Sequence, residues 1–134
     1  MGRTGTLFAH EQEGIVADIV CIAKGLGGGY QPIGAVLTTD KVYRVFQEGS
    51  GLFQHGHTYM GHPTACAAAL AVQKKIRSKN LLPQVCQRGE DLNQRLHQRF
   101  ANNPYIGDIR GRGLFQAIEL VEDRTTKEPF DPAL

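Results

Sequence analysis

The sequence has almost no excess of charge of either sign: 15 Lys and Arg against 13 Asp and Glu leave a formal net charge of +2 over 134 residues. That imbalance gives no bulk electrostatic reason to expect a nucleic-acid or acidic-surface partner. Cysteine is also scarce. Cys21, Cys66 and Cys86 are odd in number, widely spaced and set in apolar runs, which argues against a disulfide framework or a paired-cysteine metal site. They suit a reducing compartment as small core residues. No apolar run approaches the length needed to span a bilayer, and Met1-Gly2-Arg3-Thr4-Gly5 lacks a secretory apolar region. The expected location is therefore intracellular, in the cytosol or an organelle matrix. Internal repeats and low-complexity tracts are lacking as well. A hydrophobic share of 41% is ordinary for one small globular domain.

Against this plain background one stretch stands out, Asp18-Ile19-Val20-Cys21-Ile22-Ala23-Lys24-Gly25-Leu26-Gly27-Gly28-Gly29. The apolar run from Ile19 to Ala23 contains no alternating polar residue and predicts a strand buried on both faces. Lys24 then emerges at its end. An amine on the rim of a dry core loses hydration, which favours the neutral form and makes Lys24 a candidate Schiff-base nucleophile. The plain alternative is a strand-end lysine that reaches out to water. The glycines after it allow close backbone approach or positive φ. A phosphate loop of the Walker type needs its lysine after the glycines, whereas here it precedes them. A dinucleotide fingerprint must open a helix, but Pro32 to Leu37 reads as a second strand.

Lys41 to Gln47 carries Val42, Val45 and Phe46 at helical spacing. A helix is predicted from Pro63, with Ala65, Ala68, Ala69, Val72 and Ile76 as its apolar stripe. A further helix spans about Leu82 to Phe100, with a stripe of Leu82, Val85, Cys86, Gly89, Leu92, Leu96 and Phe100, and Asn102-Asn103-Pro104 stops it. Tyr105 to Asp123 is punctuated by glycine and then alternates, which reads as strands. His55, His57 and His62 match no closed zinc pattern, so no metal is expected. Thr58, just before a helix start, has a hydroxyl suited to a phosphate oxygen, with a surface turn as the plain alternative.

Three blocks in order, Gly2-Arg3-Thr4-Gly5 through Pro32-Ile33-Gly34-Ala35, His57-Thr58-Tyr59-Met60-Gly61-His62-Pro63, and Asp108-Ile109-Arg110-Gly111-Arg112-Gly113-Leu114, resemble the class III aminotransferases. These are pyridoxal-phosphate enzymes of fold type I. The resemblance covers essentially the full chain and implies an α/β fold. Residues 1–62 would be part of a large cofactor domain with a mostly parallel sheet, 63–81 a connecting helix, and 82–134 the start of a C-terminal α+β small domain. It implies that Lys24 holds pyridoxal 5′-phosphate as an aldimine and moves a proton between substrate and cofactor carbons. It implies that Thr58 contacts the cofactor phosphate of the other subunit of a homodimer. The reaction implied is ping-pong amino transfer from an amine or amino acid to a 2-oxo acid, although decarboxylation and racemisation share the same lysine chemistry.

Relatives carry a phosphate-binding loop and a pyridine-binding aspartate before the segment matching Gly2, and a substrate arginine after the segment matching Leu134. The chain is therefore expected to correspond to an internal fragment; the alternative is a non-catalytic, truncated homologue acting only through association. Arg110 and Arg112 are expected to organise small-domain structure rather than bind substrate, and Arg3 to make a loop or subunit contact.

Overall fold

Ile19–Ala23 forms strand β1, and Gly34–Thr38 forms strand β2. The computed structural model describes residues 1–133 of the chain. The two strands pair antiparallel, with Ile19 opposite Thr38 and Ala23 opposite Gly34. The ladder continues into a backbone bond from Thr39 N–H to the Asp18 carbonyl, 2.9 Å. The Thr39 carbonyl in turn accepts from Val42 and Tyr43, so the strand leads directly into helix α1, Asp40–Glu48. Helix α2, Pro63–Ser78, starts with proline in its first turn, where the missing N–H costs nothing. Its buried residues are Ala65 and Ala69. Small side chains there let the helix lie close to the turn after β1: the Gln73 amide donates to the Leu26 carbonyl at 3.0 Å.

Residues cluster into two compact units, the first holding Met1 with His10–Lys79 and the second holding Gly2–Ala9 with the residues from Asn80 onward. Asn80, the first residue of the second stretch, has a φ of 48°, which is left-handed and suits asparagine.

In the second unit helix α3, Leu81–Phe100, packs on a hairpin of β3, Ile106–Arg112, and β4, Phe115–Leu120. The hairpin is antiparallel, from Ile106 opposite Leu120 to Arg112 opposite Phe115, with an irregularity at Gly107. Gly89 marks the closest approach of α3 to the hairpin turn. A Cβ there would lie 2.4 Å from the Gly113 carbonyl, so only glycine fits. Ile106 and Val121 are buried beneath this packing. Arg124 donates to the Ala101 carbonyl and satisfies the C-terminal end of α3. The N-terminal segment belongs here as well: Leu114 N–H donates to the Arg3 carbonyl at 2.9 Å, and the Arg3 guanidinium lies 5.9 Å from the Phe115 ring centre. Arg3 thus makes a contact within its own unit.

Two expectations need correction. β1 is present, but it is not buried on both faces, and Ile19 remains 56% exposed. Burial on both faces requires covering layers, and the described residues give β1 one partner strand along an edge. Among the described residues the two sheets are each two-stranded and antiparallel, so a mostly parallel sheet would need strands other than these. The three cysteines are free, and all are exposed rather than core. Cys21 sits on that open ladder, while Cys86 lies outside the half-buried stripe of α3.

No helix among the described residues is long and apolar enough to cross a membrane.

Candidate functional site

Lys24 follows β1 directly and opens a short 3-10 turn, Lys24–Leu26. Ala23 is still extended, with φ −157°, and the next residue switches to φ +49°. The Lys24 carbonyl accepts from Gly27 N–H at 3.2 Å, and the Gly27 carbonyl from Tyr30 N–H at 3.0 Å. A left-handed residue with a side chain costs about 1 to 2 kcal/mol, a cost that glycine escapes. Glycine takes the positive-φ positions 28 and 29 of the same loop, yet lysine holds the one at 24. Strain kept at a position where a neighbouring residue type would relieve it points to a required side chain. Sequence reasoning located Lys24 but not its strain, because lysine carries no signal for positive φ.

The Lys24 side chain is exposed in this chain, not set on the rim of a dry core. The reason is the open ladder behind it: the described residues do not build the apolar wall that would dehydrate the amine.

Thr58 is exposed at the start of a turn, 58–61, that leads into α2. The turn is held at both ends, by Met60 N–H donating to the His57 carbonyl at 3.0 Å and His62 N–H donating to the Tyr59 carbonyl at 3.2 Å. Gly61 supplies the positive φ of 73° between them. His62 is the N-cap of α2; its Nδ1 accepts from Ala65 N–H at 3.3 Å, and its carbonyl accepts from Cys66 N–H at 3.0 Å. This cap was missed in the sequence because Ser, Thr, Asp and Asn are the usual signals.

An open cleft of about 570 Å3 brings Gln31–Gly34, which follow the glycines, alongside His57 and Tyr59–His62. Two of the sequence blocks therefore meet in the first unit. Lys24 and Thr58 themselves are not among the residues lining this cleft.

Arg110 is engaged within the hairpin, 3.1 Å from the Asp108 carboxylate and 3.4 Å from that of Glu119. Its hydrogen bond holds the Asp108 carboxyl below the ordinary carboxylate range. A depressed folded-state pKa means that this pair contributes stability above the unfolded carboxylate pKa, and that the contribution is lost as pH falls through the folded one. Both groups are exposed, so the contribution is small. A guanidinium already paired with two carboxylates is poorly placed to take a substrate carboxylate.

Comparison with known proteins places this geometry in a family. The profile described as "Aminotransferase class-III" matches residues 1–134. The chain belongs to the class-III aminotransferases. An aminotransferase of Gibberella zeae is 50% identical over 99% of this chain and 26% of its own length. Gamma aminobutyrate transaminase 2 of Solanum lycopersicum is 42% identical over 98% of this chain and 29% of its own length. The chain thus spans under a third of the length of these class-III relatives. Among solved structures, the PLP-bound amine transaminase from an uncultivated Pseudomonas species superposes with a TM-score of 0.93 at 38% identity, covering 98% of this chain and 30% of the other. The mixed α/β arrangement is therefore part of the fold type I architecture of these transaminases.

Proposed function

We propose that this chain serves amino transfer from an amine or amino acid to a 2-oxo acid, with pyridoxal 5′-phosphate held through Lys24 and Thr58. The observation that carries the reading is the strained, exposed lysine at the end of β1 in a chain of the class-III family. The residues fit the group chemically. Lys24 offers a primary amine for an aldehyde, the glycines after it leave its approach free of side chains, and Thr58 offers a hydroxyl donor for a phosphate oxygen. When bound, pyridoxal phosphate supplies the aldehyde and a ring that accepts electrons from the substrate carbon.

Lys24 Nζ would hold the cofactor, and as a free amine at the same place it would take up and return a proton. The paired ladder of β1 and β2 sets the point at which Lys24 leaves the strand. Thr58 would donate to the phosphate of the cofactor held by the second subunit of a two-fold dimer, so that each site would draw on both copies. We assign residues 1–62 to the cofactor domain, 63–81 to the connection and 82–134 to the start of the small domain; the change of compact unit at Lys79 and Asn80 lies close to the last of these boundaries, whereas helix α2 clusters with the first unit and Gly2–Ala9 with the second.

Borohydride reduction of the holoenzyme followed by peptide mapping is expected to fix the pyridoxyl group on Lys24. A label on Lys41 or Lys74 would overturn the assignment. Thr58→Ala is expected to weaken cofactor binding by about 1 to 3 kcal/mol, the scale of a lost hydrogen bond to a charged group. Equilibrium dialysis of the assembled dimer measures it, and unchanged affinity would remove Thr58 from the site.

A further inference from the structure

The geometry points to His62 as a positioning residue that holds Thr58 in register with helix α2. Thr58 itself is exposed and sits on a turn, a kind of segment that moves unless it is tied to something rigid. The rigid element available is α2, which runs sixteen residues from Pro63 and has its buried side chains, Ala65 and Ala69, on one face. His62 joins the two. On the turn side its N–H donates to the Tyr59 carbonyl at 3.2 Å, closing a turn that overlaps the one holding Thr58, which Met60 N–H closes onto the His57 carbonyl at 3.0 Å. On the helix side its carbonyl accepts from Cys66 N–H and its Nδ1 accepts from Ala65 N–H. One residue therefore makes three bonds that couple the last peptide of the turn to the first turn of the helix.

The ring bond is the one that specifies histidine. The backbone bonds of residue 62 are available to any amino acid, but the bond to Ala65 N–H requires a side-chain acceptor of short reach. Histidine accepts there only as the neutral tautomer with its proton on Nε2. The ring also rests 6.4 Å from the Tyr59 ring, so the same side chain that reaches the helix is braced against the turn. Gly61 between them has a positive φ and supplies no stiffness of its own. With the imidazole gone, the turn would be anchored to the helix by backbone alone.

This inference rests on the reading of Thr58 as a phosphate contact, and the experiment separates the two. Binding of pyridoxal phosphate and of pyridoxal, which lacks the phosphate, is measured in the full dimeric enzyme for wild type, Thr58→Ala, His62→Ala, His62→Asn and the double variant Thr58→Ala/His62→Ala. Loss of one capping side chain is expected to weaken pyridoxal phosphate binding about fivefold in His62→Ala. Pyridoxal binding should be unchanged, because the effect acts only through the phosphate contact. His62→Asn, which restores a capping oxygen, should recover wild-type affinity, and the double variant should be no weaker than Thr58→Ala alone.

If Thr58→Ala binds both forms normally, the Thr58 reading fails and takes this inference with it. If Thr58→Ala weakens phosphate-dependent binding while His62→Ala does not, or the two losses simply add, the Thr58 reading stands and the role of His62 is overturned. A general loss affecting pyridoxal equally would likewise overturn it, showing a merely structural cap. Should His62→Ala not assemble, His62→Gly supplies the same comparison, since helices accept glycine at the N-cap at little cost while the imidazole tether is still removed.

Discussion

Replacing Lys24 with alanine is expected to lower amino transfer by roughly 10² to 10⁴-fold through the lost proton transfer alone, and further through the lost cofactor anchor. Lys24→Arg should do no better: it keeps the charge, but its guanidinium neither deprotonates near neutrality nor forms the bond to an aldehyde. Single-turnover kinetics on the holoenzyme measures the chemical step directly. The backbone adds a second, opposite expectation. Because Lys24 holds φ +49°, Lys24→Gly relieves about 1 to 2 kcal/mol of strain against about 0.4 to 1 kcal/mol of added unfolded-chain entropy, so the cofactor-free enzyme should gain stability on balance even as activity is abolished. Denaturant unfolding of the two apoenzymes reads that difference. Turnover surviving in Lys24→Ala would sink the functional assignment, whereas a Lys24→Gly variant no more stable than wild type would sink the claim that the lysine is held under strain.

The contrast between those two measurements follows from what a sequence exposes and what it hides. The end of β1 was visible because an unbroken apolar run stops at a charged residue followed by glycines. The helices α2 and α3 were visible because their stripes recur at helical spacing: the predicted start at Pro63 agrees with Pro63–Ser78, and the predicted span of about Leu82 to Phe100 agrees with Leu81–Phe100. Such signals are local, and local preference agrees with the final structure there. Strands between Tyr105 and Asp123 were also anticipated, though not their pairing as a hairpin, and the alternation was a poor guide to burial. Ile118 and Leu120 are exposed at 36% and 62%, while the polar Gln116 and Glu119 are the half-covered residues of that strand. Gln116 is covered because it accepts from the Asn93 amide on α3 at 3.1 Å and donates to the Gly113 carbonyl at 2.8 Å. Which face of a strand is buried depends on the layer that meets it, and hydrophobicity alone does not name that layer.

At the site the same limit applies. Chemistry-bearing residue types are readable as letters, so Lys24 and Thr58 could be singled out. The sign of a φ angle at Lys24 and the capping bond of His62 are three-dimensional properties of residues that usually do something else. The family resemblance added the order and spacing of three blocks, which no single block carries.

The same burial pattern leads to the other large expected effect: the 134-residue polypeptide, purified by itself, should neither unfold cooperatively nor transfer amino groups above free pyridoxal phosphate. Its accessible surface is 10511 Å2. A compact monomer of its 14.7 kDa mass would expose about 6,900 Å2, and even two separate compact units of half that mass would together expose about 8,400 Å2. The excess is apolar in large part: Ile15, Val16, Val36, Val45, Leu52 and Phe115 are each more than half exposed, whereas the buried apolar side chains among the described residues are Ala65, Ala69, Ile106 and Val121. Four such side chains, two of them alanine, cannot offset the conformational entropy lost on ordering a chain of this length. Open ladder edges on both two-stranded sheets would then favour association over folding. Without a fixed fold Lys24 still reacts with an accessible aldehyde, so slow, weak labelling is expected. Catalysis also needs the amine oriented toward the breaking bond, an advantage that reaches roughly 7 to 11 kcal/mol and vanishes with the geometry. Circular dichroism on heating should show a broad, featureless change, with dye binding to exposed apolar surface from the outset. A sharp unfolding transition with robust turnover, abolished in Lys24→Ala, would show that these residues build a working site on their own and that the exposed ladder needs no cover.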